Sequence, residues 1–523
     1  MSSTHHNRPG AGPVVTTAQG AVRGRHEEGI AVFRDIPYAA PPTGAARFAR
    51  PLPHAPWDGV RDATAPGPTA PQPRRDAFGK LDMSPYFGPG WVPGDDYLTV
   101  NVWTPSGRDG SAGASLPVLV FVHGGGFVAG STRAPVADGA AFARDGVVLV
   151  TLNYRLGIPG FLQLPDAPDN RGVLDVLAAL RWVRENIAGF GGDPGRVTLF
   201  GQSAGATVVG AVLASEDGTG PEGLPLRRAI MQSGSGLGAF TPEQAARVTR
   251  AAADALGVEP RADAFAQLPD ARFVEIMPQL AGMELGTGSD TDPLLGLSPF
   301  SVVLDRQPAE SIAAGRAAGV DLLIGTNTEE GNLYLAPQGD LSSSTAADVQ
   351  AIAARAHRDP AGLVDAYRTQ RPRASHGELR SAILGDALFG AGSRRLAEAH
   401  AAHPGSTTHV FEFAWRSQAL SDGTAGGGTA DTPGGELGAA HGMELPFVFD
   451  RAALPALHGP HALLGPEAPP ADLAARMHAA WVAFAATGEP GWEPYGTTRR
   501  VMRIDGAWTL TEDPHGPVRR AWY

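Results

Sequence analysis

The 523-residue sequence contains no cysteine. Disulfides, thiolate nucleophiles and cysteine-based metal sites are therefore excluded, and the fold must hold by packing alone. Lysine is almost absent as well, with Lys80 the only one. Amine nucleophiles and Schiff bases are confined to that position, so covalent chemistry falls to Ser, Thr, Asp, Glu or His. The longest apolar runs, "LPVLVFV" (116–122) and "GVVLVTLNY" (146–154), are far too short to span a bilayer, and "MSSTHHNRPGAGPVV" (1–15) holds no continuous apolar signal core. The expectation is a soluble cytoplasmic protein with no membrane span. Basic residues are scattered over a chain of net charge −12, so the footprint of a nucleic-acid binder is missing.

What is present is a globular balance: 43% apolar and 18% charged residues, with Gly and Pro plentiful enough (68 and 46) to imply many ordered turns. Residues 1–12 read as a flexible tail, followed by short β-branched segments broken by Gly and by a Pro-rich wrapping segment over 40–73. From about residue 97 apolar strand candidates (98–103, 118–122, 147–153, 197–200, 229–232, 320–324) alternate with stretches of helical spacing. That alternation predicts an α/β fold, a large, mostly parallel sheet with helices on both faces. One helix is especially clear: "RGVLDVLAALRWVRENIAGF" (171–190) places Val173, Leu174, Leu177, Leu180 and Val183 near one face. Ala-rich segments at about 240–295 and 340–405 read as helical insertions over the sheet's carboxyl edge, expected to build a largely apolar pocket together with the loop near Phe87 to Trp91. The expected organisation is one domain over 13–523, and the Gly-rich stretch 422–438 is expected to form a mobile rim.

Gly201-Gln202-Ser203-Ala204-Gly205 fits G-x-S-x-G, with a strand candidate before it and small residues opening a helix after it. In that context the motif is a nucleophile elbow rather than a plain turn: Ser203 is lifted above the sheet edge and faces the helix N-terminus. Acyl transfer also needs donors for a developing oxyanion. "VFVHGGGFVAG" (120–130) carries three glycines at a strand's carboxyl end, whose bare backbone lets a substrate oxygen come within hydrogen-bond distance. Gly125, Gly126 and the N–H of Ala204 are assigned to this hole. A serine hydroxyl further needs a histidine held by a carboxylate. Ten histidines follow residue 330, so composition cannot choose among them. The order Ser, acid, His points to "VDLLIGTNTEEG" (320–331) and "GAAHGMELPFVF" (438–449).

The stretches "FRDIPYAAPPTGAARF", "DDYLTVNVWTP", "HGGGF", "LNYRLGIPGFL", "DNRGVLDVLAALRWVRENIAGFGGDPGRVTLFGQSAGA", "AIMQSGS", "GTNTEEG", "HGMELPFVF" and "WVAFAATGEP" run nearly end to end, and they closely resemble the type-B carboxylesterases, a group that includes bacterial p-nitrobenzyl esterases and cholinesterases. The resemblance implies an α/β-hydrolase fold and a serine ester hydrolase with no metal or organic cofactor. It places the nucleophile at Ser203, the acid at Glu330 with Glu329 as the alternative, and the base at His441. Ser233 is expected to hydrogen-bond to the acid or base, His123 to brace the hole from beneath, and Arg155 to pair with Glu185. Three departures from the family pattern stand out. Gln202 is neutral where many members carry glutamate, which disfavours a cationic choline ester. Tyr97 replaces a frequent disulfide cysteine, so the loop through Phe87 and Trp91 is expected to be looser. Ala206 replaces a common glycine and is expected to narrow the pocket floor. The implied partner is a small to medium aryl or alkyl ester acted on by a monomer or weak homodimer. An amide, carbamate, thioester or lactone is the alternative, and a non-catalytic binding module a remote one.

Overall fold

The computed structural model describes residues 12–106, 115–219, 224, 226–421 and 436–523. The tail expected over 1–12 lies, apart from Gly12, outside the described residues. Eleven strands form the central sheet: β1 (Arg25–Glu27), β2 (Ile30–Pro37), β3 (Thr99–Pro105), β4 (Leu116–Val122), β5 (Val148–Leu152), β6 (Gly192–Gln202), β7 (Leu226–Gln232), β8 (Asp321–Asn327), β9 (Thr408–Phe413), β10 (Arg500–Ile504) and β11 (Thr509–Glu512). Their spatial order is β11-β10-β9-β8-β7-β6-β4-β5-β3-β2-β1. Every pair from β5 across to β10 is parallel, and antiparallel strands close both edges.

The central strands are almost continuously apolar because both faces of the sheet are covered there. On β4, Val118, Val120 and Val122 enter one core while Leu119 and Phe121 enter another on the opposite face. The helix Arg171–Asn186, α1, packs into the first core through Val173, Leu177, Leu180 and Val183, and Leu473–Thr487 packs into the second through Met477, Trp481 and Phe484. Residues 240–295 and 340–405 hold helices, and parts of the latter gather a smaller third core around Leu363, Leu379 and Ile383.

The chain reverses its direction of travel across the sheet at β4. From β4 it goes to β5 on one side, then returns to place β6 on the other. The carboxyl ends of β4 and β6 therefore sit side by side, with Val122 paired to Gly201. In open parallel sheets a crevice forms at such a switch point, and ligands bind there.

Two expectations fail at this level. Arg155 does not pair with Glu185, which is exposed; it is fully buried and forks onto Asp175 of α1, with Nε and Nη2 at 2.9 and 2.7 Å from the two carboxylate oxygens. The reason is burial: Asp175 lies on the packed face of α1 and must meet a cation there, whereas Glu185 can remain in water. Nor does the cysteine-free loop lack anchors. Tyr97 is buried in the core, Phe87 is buried, and Thr69 Oγ1 donates to Gly90 O and accepts from Val92 N at 2.9 and 2.8 Å.

Candidate active site

Ser203 lies between β6 and the helix Ala204–Ala214, α2, with φ 58° and ψ −128°. A non-glycine residue in this region carries backbone strain of about 1–3 kcal/mol, which surrounding contacts must over-determine. They do so here: Ser203 N donates to Gln232 O on β7 at 2.8 Å, and Thr207 N donates back to Ser203 O at 3.0 Å. The tight approach also fixes the residue at 205. A Cβ on Gly205 would lie 2.1 Å from Val122 O, so a larger residue would push α2 off the end of β4.

Three side chains from three different carboxyl ends meet above this turn. His441 Nε2 lies 2.8 Å from Ser203 Oγ, and His441 Nδ1 lies 2.6 Å from Glu330 Oε2. With Nδ1–H donated to the carboxylate, Nε2 is left to accept the serine proton. Glu330 Oε1 accepts two further bonds, from Ser233 Oγ at 2.6 Å and from Asn327 N at 2.7 Å. The carboxylate is thus held in one orientation. Glu329 faces away: it pairs with Arg416 and accepts Ala439 N at 2.8 Å. Phe389 stacks on the imidazole with ring centroids 4.2 Å apart and planes 8° from parallel, so the ring cannot tip off its axis. Gln202 Nε2 stands 3.4 Å from His441 Nε2, a neutral neighbour to the base.

The glycine loop after β4 turns two of its carbonyls into hydrogen bonds of its own. Gly124 O lies 2.8 Å from His123 Nδ1, and Gly125 O accepts both Val128 N and Ala129 N at 3.2 and 3.1 Å. In a trans peptide the N–H of the next residue points opposite its carbonyl. The N–H groups of Gly125 and Gly126 therefore face away from those bonds, and none of the hydrogen bonds among the described residues takes them up, or that of Ala204. Gly125 has φ 117°, and a Cβ there would strike Ala129 O. His123 braces the loop from beneath, stacked on Tyr154 at 4.5 Å. Burial pulls its pKa down to about 4, so it stays neutral at ordinary pH.

A cleft opens over Ser203 and the glycine loop. Its walls include Phe78, Met83, Phe87, Val136, Leu333 and Leu445. The helices of 240–295 and 340–405 do not line it, contrary to expectation; the second insertion reaches the site instead through Phe389 against His441. Phe87 of the loop expected to wall the pocket does line it, beside Arg75, Phe78, Met83 and Tyr86 of the same segment, and the rest of the wall comes from residues 121–137, 333–334 and 442–445. Ala206 does not line the cleft either. It is fully buried, and its methyl group abuts the backbone of Gly234. Residues 422–435 of the expected mobile rim lie outside the described residues. The last of that stretch is held tightly: Leu437 is fully buried, Leu437 O accepts Asn332 Nδ2, and Gly438 bridges Ser417.

Two residues join the site without having been anticipated. Asn327 donates through Nδ2 to Ala440 O and to Glu444 Oε2, both at 2.7 Å, tying the end of β8 to the histidine loop. Glu444 is fully buried, and burial followed by the charge of Glu330 raises its pKa. The position of Glu444, three residues beyond His441 in an apolar run, was the one sequence signal for it. Among the described residues no group of three or more His, Asp or Glu side chains is arranged to hold a metal ion, and no helix is long and apolar enough to cross a membrane.

A profile of the carboxylesterase family matches residues 11–515. The sequence is 34% identical to the para-nitrobenzyl esterase of Bacillus subtilis (strain 168), with 97% of this chain and 98% of that protein aligned. It is 32% identical to the liver carboxylesterase of Sus scrofa over 94% of this chain and 88% of that one. Among solved structures, a carboxylesterase of Geobacillus stearothermophilus superposes with a TM-score of 0.79 at 32% identity, covering 98% of this chain and all of that one.

Proposed function

The chain belongs to the carboxylesterase family and is a carboxylic-ester hydrolase of α/β-hydrolase fold, and from this premise we propose how its residues carry the reaction. Ser203 is the nucleophile. His441 Nε2 takes the hydroxyl proton as Oγ attacks the ester carbonyl, and the amides of Gly125, Gly126 and Ala204 receive the oxyanion of the tetrahedral intermediate. His441 then gives the proton to the leaving alcohol oxygen, and the carbonyl re-forms as an acyl-enzyme. Water, deprotonated by the same nitrogen, attacks the acyl carbon; collapse releases the carboxylic acid and returns the proton to Ser203. Glu330 holds the imidazole tautomer and balances the imidazolium charge, while Ser233 and Asn327 hold Glu330.

The observation that carries this reading is the unbroken line from Ser203 Oγ through His441 to Glu330, at 2.8 and 2.6 Å, beneath a largely apolar cleft. That cleft supports small to medium aryl or alkyl esters as substrates. The reading also keeps the enzyme in the cytoplasm, as one domain acting as a monomer or weak homodimer.

Hydrolysis of p-nitrophenyl acetate, butyrate and octanoate by wild type and Ser203→Ala tests it. The expected outcome is a wild-type optimum at one chain length and a loss of roughly 10³-fold or more in the variant. Turnover surviving in Ser203→Ala would remove this serine from the chemistry.

A further inference from the structure

The cleft over Ser203 contains one arginine and no aspartate or glutamate among the residues that line it. Arg75 stands on the face of Phe78, its guanidinium carbon 5.7 Å from the ring centroid. Among the described residues it makes no hydrogen bond and no ion pair. The carboxylate nearest in sequence, Asp76, is taken by Arg74 at 2.6 Å. Gln202, beside the nucleophile, is a neutral amide. The guanidinium also lies beside the loop that faces the reacting atoms: a methyl group built on Gly126 would be 3.6 Å from Arg75 Nη1.

The fully buried arginines of this protein show what a structural role looks like. Arg155 is satisfied by Asp175 and by two carbonyls, and Arg171 by the carbonyls of Ile158, Pro159, Leu162 and Pro168. A charge withdrawn from water is costly unless it is paired and hydrogen-bonded. Arg75 bears part of that cost, since burial lowers its pKa, and what offsets it is the neighbouring phenol of Tyr334, not a carboxylate. Its five donors match a planar carboxylate better than any other common group.

We infer that Arg75 is a specificity-determining residue that receives a carboxylate of the substrate, so that this esterase prefers esters bearing a negative charge over neutral isosteres. The inference rests on the ester-hydrolase reading above and adds the class of substrate. The charged group can be carried on either side of the scissile bond, and two matched pairs separate these cases. For the alcohol side the pair is 4-acetoxybenzoate and 4-acetoxybenzamide; for the acyl side it is monomethyl adipate and its mono-amide.

The test measures kcat/KM for both pairs with wild type, Arg75→Gln and Arg75→Lys, using p-nitrophenyl acetate as reference. Wild type should favour the anionic member of at least one pair by about tenfold, the scale of one charge-assisted hydrogen-bonded contact. That ratio should collapse in Arg75→Gln, mainly through KM, survive in part in Arg75→Lys, and shrink with added salt. A wild type with no preference in either pair, or a ratio unchanged in Arg75→Gln, overturns the inference. If p-nitrophenyl acetate itself is not hydrolysed by folded wild type, it is the ester-hydrolase reading that fails instead.

Discussion

At the scale of single residues, the same side-chain type meets different fates a few ångströms apart. Glu329 and Glu330 are neighbours in sequence, yet one pairs with Arg416 at the rim and the other holds His441. Sequence narrows the proposed acid to this pair and, through resemblance, favours the second; the direction in which each side chain leaves the strand end puts Glu330, not Glu329, against His441. Arg75 sits in no periodic pattern or motif, and Asp35, although inside the stretch "FRDIPYAAPPTGAARF", carries no local signal of its burial. Asp35 has φ 60°, a buried Oδ1 without a hydrogen bond, and Arg61 only at 3.8 Å. Burial, more than the neighbouring charges, raises its pKa to about 6. A carboxyl raised in the folded state contributes stability that is complete below its unfolded value, near 3.8, and lost as pH rises through about 6. Asparagine tolerates the same backbone and has no charge to bury. Asp35→Asn should therefore gain stability relative to wild type between about pH 4 and about pH 7.5, by on the order of 2–3 kcal/mol. Denaturant midpoints at the two pH values check this, and a difference that stays constant or narrows contradicts it.

Elements show where local pattern suffices and where it does not. The strand-turn-helix around Ser203 was readable because its demands are local: small residues flanking Ser203, β-branched residues before, a helix after. The glycine loop was readable for the same reason. The helical insertions were recognised as helices, but their place in space was not, since periodicity says which face is apolar and not what it packs against. Much of the cleft wall instead comes from the segment around residues 75–87, whose sequence carries no clear period. The partner of Arg155 was missed in the same way, although Asp175 on the apolar face of α1 was the available signal. That pair joins the chain after β5 to α1, with no exposure on either side chain. Asp175→Ala leaves a buried guanidinium uncompensated and should destabilise by about 3–5 kcal/mol in urea titrations. A double replacement by apolar residues, Arg155→Met with Asp175→Leu, should cost less than the single variant. A single-variant loss below about 1 kcal/mol would mean that solvent or another group takes over the charge.

For the molecule as a whole, the arrangement explains how a cysteine-free chain positions three distant residues to within hydrogen-bond length. Ser203, Glu330 and His441 are separated by more than a hundred residues each. They come from the ends of β6 and β8 and from the loop beyond β9, and the parallel sheet brings those ends to one edge. Two cores, one on each face, keep the strand ends in register, so the constellation is set by the most buried part of the structure. The alternation of apolar strands and helices made this architecture legible from sequence, and the glycine motifs made its functional edge legible. Substrate preference was not, because it depends on which loop folds over that edge and what charge the loop brings.

The most direct test of the central claim is active-site labelling with a fluorophosphonate ester, followed by peptide mass mapping, in wild type, Ser203→Ala and acid-unfolded wild type. The account predicts one label per folded wild-type chain, on Ser203, lost from both controls and proportional to lost ester turnover. A label on another serine such as Ser233, or full esterase activity in a chain labelled at Ser203, would contradict it.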